Sequence, residues 1–322
     1  MNPQFKFENR DILNSNSVFE KKPKDKFDIL FSALADKINK EYCEPDEKKL
    51  VLNDGRINME VFDNYDPNKD PEEIFNMGMV HSQMYYKEKD EDGNYKADEE
   101  MVKYRLKEAG LPEGTPNAEI LECWKKKKEE QLSFKWEKAS TILMSRVLGD
   151  NFIVIRSSEL DDYTNKTDTV IVDKESGAVI CAIDLVNDRT GGKRYEKKLQ
   201  QLEQDAKDGQ GGKLRFGITV EKDEKTGEKK LIKKELENIP RFFLPVEDND
   251  VRSLLKEMSN NFNAPLIEIE KIIFGKLVDS LEEQAGIYVK KSKHSNISEF
   301  FMLNFKKFDS SLEKMKKIKE NF

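Results

Sequence analysis

The sequence predicts an α+β or α/β protein, a mixed sheet flanked by N-terminal helices and followed by a C-terminal helical pair. Three observations carry that reading. Apolar residues recur at helical spacing up to Leu148; from Asn151 the period shortens and β-branched residues gather in short blocks; beyond Pro265 two long helical stripes return. On this pattern the 322 residues divide into a mostly helical region over 1–115, a sheet-bearing core over 116–260 and a helical pair over 261–322.

The first helix is read from Phe27, Leu30, Phe31, Leu34, Ala35 and Ile38, and stops near Glu44 and Pro45. A turn-rich connection between Asp54-Gly55 and Asp70-Pro71 precedes a helix over 72–87, a charged loop over 89–94 and a helix over 98–109 that Gly110 and Pro112 end. One long helix is then expected from about 117 to 148, with Ile120, Leu121, Trp124, Leu132, Trp136, Ile142, Leu143 and Val147 inward and Gly149 as its stop. Its lysine run, 125–128, fits a solvated helix face better than a phosphate contact.

Strands follow at 152–155, 169–172 and 178–183, the last two joined as a hairpin across 173–177. After Gly191-Gly192 a charged helix over 193–207 turns Leu199 and Leu202 inward, and the glycines of 209–212 end it before a strand at 214–220. A second hairpin turns at Thr226-Gly227, and 242–246 adds a further strand. The last stripes are Leu266, Ile269, Ile273, Leu277 and Leu281, then Ile297, Phe301, Phe305, Phe308, Leu312 and Met315. They fit a helical pair whose aromatic face is core or a contact for a protein partner or a second copy. Residues 290–322 hold nine lysines against four acids, so this end has a basic outer surface.

Composition excludes several classes. Charged and hydrophobic residues each make up 37% and the net charge is −7, which fits a folded, well-solvated chain and opposes indiscriminate binding to nucleic acid. Cys43, Cys123 and Cys181 are odd in number and far apart, offering neither a disulfide framework nor a zinc knuckle. His81 and His294 are too few for a histidine metal cluster or a convincing Ser-His-Asp triad. The polar residues 1–11 lack a signal-peptide core, and no run approaches the roughly eighteen apolar residues of a membrane span. The expectation is a cytoplasmic protein with no membrane partner. Gly209-Gln-Gly-Gly-Lys213 lacks the phosphate-loop spacing, because Leu214 stands where serine or threonine belongs.

Two acids stand out. Asp168 and Asp184 interrupt blocks that otherwise read as buried strands, and a carboxylate removed from water needs a cation, a metal or donors around it. Asp168 also fits a strand-entry turn after Thr164-Asn165, whereas Asp184 has no turn residue beside it. Glu137, in a helix rich in glutamate and lysine, fits an exposed position as well as a site. Glu159, Asp161 and Asp162 fit a solvated loop or an outer ligand, and Asp188 a turn.

Helix, three antiparallel strands, helix and strand, with Asp168 in Lys166-Thr-Asp-Thr-Val170, Asp184 in Ala182-Ile-Asp-Leu-Val186 and Glu137 in Trp136-Glu-Lys138, resembles the core of the PD-(D/E)xK, or restriction-endonuclease-like, nuclease superfamily. The resemblance covers residues 130–247. It implies that Asp168 and Asp184 bind Mg2+ or Mn2+, that Glu137 completes the shell, and that a lysine two residues after the second acid positions or activates water. Val186 occupies that place here, so the resemblance would draw its lysine from Lys193, Lys197 or Lys198 on or before the next helix. A metal held by two carboxylates acidifies bound water and stabilises charge on a phosphoryl transition state. The expected function is a metal-dependent nuclease acting on DNA or RNA; the alternative, favoured by Val186, is a non-enzymatic nucleic-acid or protein binding module on a degenerate nuclease fold.

Overall fold

A computed structural model describes residues 25–44, 46–188, 191–223, 225–292 and 299–322. The leader over 1–11, Pro45, His294 and Ile297, to which the sequence reading refers, lie outside the described residues. Helix α1 (Lys26–Tyr42) forms as expected and buries Phe27, Leu30, Phe31, Leu34, Ala35 and Ile38. Asp25 and Asp28 close its start reciprocally as a capping box. Helix α2 (Asp70–His81) is shorter than the 72–87 expected, because the backbone turns left-handed at Gln83 and then extends. Tyr85–Lys89 (β1) pairs antiparallel with Tyr95–Ala97 (β2), so the expected charged loop is the turn of a hairpin. The Asp90 carboxylate draws that turn together by accepting from the backbone N–H groups of Asp92 and Asn94. Helix α3 (Glu99–Ala109) is capped by Asp98 and ends at left-handed Gly110.

The long helix expected over 117–148 is two, α4 (Asn117–Glu130) and α5 (Leu132–Leu148), separated by Gln131 with ψ 145°. The two halves serve different cores. Ile120 and Leu121 of α4 close a small cluster with Met79 and Met84, whereas Trp136, Ile142 and Leu143 of α5 enter the main one. One straight helix would have to satisfy both at once, and tertiary packing overrides its local propensity.

The central sheet is mixed, ordered β3-β4-β5-β8. Strands β3 (Phe152–Arg156), β4 (Thr169–Asp173) and β5 (Val179–Asn187) run antiparallel, and β8 (Arg241–Val246) lies parallel to β5. Between β3 and β4 the acids read as a loop form a short helix, α6 (Glu159–Asn165), capped by Ser158. Helix α7 (Lys193–Asp208) and the ribbon of β6 (Gly212–Lys222) and β7 (Lys229–Ile239) occupy the crossover from β5 to β8. The turn between β4 and β5 docks on β6: Gly177 has φ +69°, its carbonyl accepts from Val220 N–H at 2.8 Å, and an added Cβ would stand 1.7 Å from the Val220 oxygen. Gly177→Ala is therefore expected to cost about 1–3 kcal/mol, read as a lower denaturant midpoint.

Helices α8 (Asp248–Glu257), α9 (Glu268–Ser292) and α10 (Glu299–Glu320) complete the chain. Phe301, Phe305, Phe308, Leu312 and Met315 of α10 are buried, with Phe308 against Phe242 of β8 at 4.3 Å between ring centroids. The aromatic stripe is therefore core, the first of the uses its spacing allows. The basic outer face is partly paired, Lys314 with Asp173 and Glu175, Lys316 with Glu282 and Lys319 with Asp279. The main core draws residues from α1, α5, the sheet, α9 and α10 together, and so from all three regions read in the sequence. The protein is thus α+β in class, and among the described residues no helix is long and apolar enough to cross a membrane.

Candidate functional site

The site is assembled where α5, α6, α7 and the ends of β4 and β5 meet. Helix α5 is fixed over β4 by Thr141, whose hydroxyl lies 2.7 Å from that of Thr169, both fully buried. One turn earlier stand Glu137 and Lys138, and two turns earlier Phe134, at the spacings that align side chains with Thr141 along a helix. The Thr141 lock therefore brings Glu137 toward Asp168, the residue before Thr169.

Asp168 sits at the entry to β4, where its N–H donates to the Ile183 carbonyl at 2.8 Å and its carbonyl accepts from Ser157 at 3.0 Å. Its carboxylate accepts from the Leu185 N–H at 2.6 Å, standing in for the strand that ends there. Thr169 lies opposite Ile183, so Asp168 and Asp184 are neighbours at the end of the ladder.

Helix α7 supplies the cation. The Asp188 carboxylate accepts from the N–H groups of Arg194 at 2.9 Å and Tyr195 at 3.2 Å, satisfying donors that the first turn leaves free. Asp188 is thus a helix anchor rather than a simple turn residue, and Gly192 is required beside it, since a Cβ would stand 2.1 Å from its Oδ1. Tyr195 packs edge-on against Phe243 of β8, and at the far end Asp205 binds Arg241 at 2.6 Å. So held, α7 turns Tyr195, Leu202 and Ala206 inward, and Lys198, one turn from Tyr195, reaches the Asp184 carboxylate as an ion pair. Of the three lysines read as candidates, the structure brings Lys198 to the acids; Lys193 and Lys197 are exposed on α7.

The acids read as loop residues take separate roles. Asp161 is fully buried and structural, accepting from the backbone N–H groups of Arg215 at 2.8 Å and Phe216 at 3.1 Å and so tying α6 to β6. Glu159 pairs with Lys125 at 3.0 Å. Asp162 faces the site and binds Arg56 at 2.7 Å, while Arg156, buried at the end of β3, lies over Phe134 at 5.6 Å. Sequence reading missed both arginines and Lys128 as members of this site. The one available signal was an arginine closing the apolar block Phe152-Ile-Val-Ile155.

Electrostatically the site is under tension. Burial, then the charges of Glu137 and Asp162, push the Asp168 carboxyl well above the usual carboxylate range. Burial followed by Asp162 likewise raises Glu137, against the pull of Lys128, Arg156 and Arg56. Asp162 goes the other way: burial opposes its charge, but Arg56 outweighs it and holds the acid below its ordinary value. Burial pulls the Lys198 ammonium down to about 8, against the attraction of Asp168. Mutually repelling acids beside a depressed lysine are commoner at functional sites than in ordinary surface ion pairs.

The donor set is hard oxygen, suited to a magnesium-like cation. Among the described residues no group of three or more His, Cys, Asp or Glu side chains stands ready to hold a metal. Comparison with known protein families, with curated proteins and with solved structures found no match to this chain.

Proposed function

We propose that the chain is a metal-dependent nuclease of the restriction-endonuclease-like kind, acting on phosphodiesters of DNA or RNA. The observation that carries this reading is the ion pair of Lys198 with Asp184 beside Asp168, which supplies from α7 the ammonium that Val186 cannot. The order α5, β3, β4, β5, α7 and a strand parallel to β5 supports it, as does the pressure that Glu137 and Asp162 put on Asp168.

In this reading Asp168 and Asp184 hold Mg2+ or Mn2+, with Glu137 as a further or water-mediated ligand. The bound ion would acidify water and stabilise charge on the phosphoryl group. Asp168 arrives oriented by the Leu185 N–H, and must give up a proton that burial and its neighbours favour. Glu137 faces the same requirement, so cation binding releases protons and tightens as pH rises. Lys198 holds Asp184 in place, and its ammonium would supply positive charge to a phosphate bound at the carboxylates.

Asp184→Ala is expected to abolish Mg2+-dependent cleavage of a labelled oligonucleotide while the circular-dichroism spectrum and melting stay those of a folded protein. Lys198→Ala should lower the rate by about 10²–10⁴-fold, and Lys193→Ala and Lys197→Ala should leave it unchanged. Equal cleavage by parent and Asp184→Ala would remove the assignment.

A second reading has two observations in its favour: among the described residues no ligand group of three is preassembled, and Asp184 is already paired with Lys198. A binding module on the same core would hold nucleic acid equally well with and without Mg2+, and Asp184→Ala would not alter that binding.

A further inference from the structure

The lysine run of α4 is the motif that the carboxylate site leaves unexplained, and its members meet different fates. Lys125 pairs with Glu159 at 3.0 Å, Lys126 is exposed, and Lys127 donates to the Glu108 carbonyl. Lys128 has no ion pair or hydrogen bond among the described residues. Instead Lys128, a half-buried residue, places its Nζ among three aromatic rings, 5.7 Å from the centroid of Trp124, 5.8 Å from Phe134 and 5.9 Å from Tyr163. Ring faces attract a cation but take none of its hydrogen-bond donors in the way an oxygen does. All three N–H groups are thus held in place and unspent.

Phe134 gathers further charge. Lys138 lies over it at 5.1 Å and Arg156 at 5.6 Å, and Lys138 has no ion pair among the described residues. Three cations thus crowd one half-buried ring, and among the described residues no carboxylate forms an ion pair with Lys128 or Lys138. The cluster lies beside the acids: Lys128 acts on Asp168, Glu137 and Asp162, and Glu137 shares the helix face of Phe134 and Lys138. An anion seated there would sit next to the carboxylate group.

We infer that Lys128 and Lys138, gathered about Phe134, form a phosphate-binding station that grips a backbone phosphate of the nucleic-acid strand adjoining the one at the carboxylates. This rests on the phosphodiester reading of the site. Ammonium groups bind phosphate as point charges, without the bidentate match of arginine, so the station reads the backbone and not the base. Of the four lysines in the run, only Lys128 takes part.

The test is equilibrium binding of fluorescein-labelled single-stranded DNA and RNA 12-mers to the full chain in EDTA, over a series of KCl concentrations. Lys128→Met keeps the stem under the rings and removes the charge, Lys138→Met does the same on the other side, and exposed Lys126→Met is the control. Each station variant should weaken binding about 5–10-fold at low salt and lower the slope of log K against log[KCl] by about 0.7, the counterion release of one single-strand phosphate. Lys128→Arg should keep most of the affinity, and Lys126→Met all of it. The two oligonucleotides distinguish DNA from RNA as the source of the phosphate. Should the parent bind but Lys128→Met and Lys138→Met match it in affinity and slope, the station is refuted while the phosphodiester reading stands. Should Lys128→Met alter only the melting temperature, the rings and lysine are packing, and the station is refuted in the same way. Failure of the parent to bind either oligonucleotide, with or without Mg2+, overturns the phosphodiester reading itself.

Discussion

Asp168→Asn is expected to yield a more stable protein that no longer cleaves. The asparagine oxygen keeps the hydrogen bond from Leu185, so the end of the sheet loses nothing it needs. The substitution removes a charge that burial and the neighbouring Glu137 and Asp162 all oppose. The sign follows from proton linkage. A carboxyl whose folded pKa is raised binds more protons in the folded than in the unfolded state, so its stabilising contribution is complete below the ordinary carboxylate pKa and is lost as pH rises toward the folded value. In the parent, the melting temperature should therefore fall as pH climbs out of the acid range, and Asp168→Asn should flatten that fall. At neutral pH the variant should gain about 1 kcal/mol or more, with cleavage lost. A variant that melts at or below the parent at every pH would place the strain elsewhere.

The second large effect lies far from the acids. Arg146 of α5 and Glu270 of α9 form an ion pair with side chains 2% and 1% exposed. Arg146 also donates to the carbonyls of Phe262 at 3.1 Å and Ala264 at 2.7 Å, and Glu270 accepts from the Ile267 N–H at 3.0 Å. The pair thus cements the loop before α9 onto the helix that carries Glu137. Removing one partner strands a charge without solvent, so Arg146→Ala or Glu270→Ala should each cost about 3–5 kcal/mol in denaturant unfolding. Replacing both by apolar residues of similar volume should recover much of that loss, since desolvating the pair offsets most of its attraction. Single and double variants that unfold alike would show that the packing, and not the stranded charge, sets the cost.

How far these features were legible in the chain depends on whether local or distant groups decide them. The block at 178–183, the charged helix at 193–207 and the glycine stop after it announce themselves, because β-branched runs and left-handed Gly209 are local choices. Asp168 and Asp184 were visible as acids in apolar company. The break at Gln131 was not, since glutamine is a good helix former and only the pull of two separate cores extends it. Hairpin β1–β2 was hidden by its charge, with only Tyr85 and Tyr95 half-buried along it. Which lysine serves the site could not be read from spacing alone: Lys197 and Lys198 differ by one position, and the anchoring of α7 by Asp188 and Tyr195 decides between them. Arg56 comes from a turn more than a hundred residues before its partner Asp162, a distance at which no periodicity speaks.

The single extended residue between α4 and α5 has an architectural corollary. Lys128 is carried by a module with its own small set of apolar contacts, while Glu137, a few residues away, is carried by the principal one. Yet the bend also lets Lys128 reach back over Phe134 and Tyr163, so the smaller cluster is hinged away from the larger one while one of its side chains stays within the electrostatic reach of the acids.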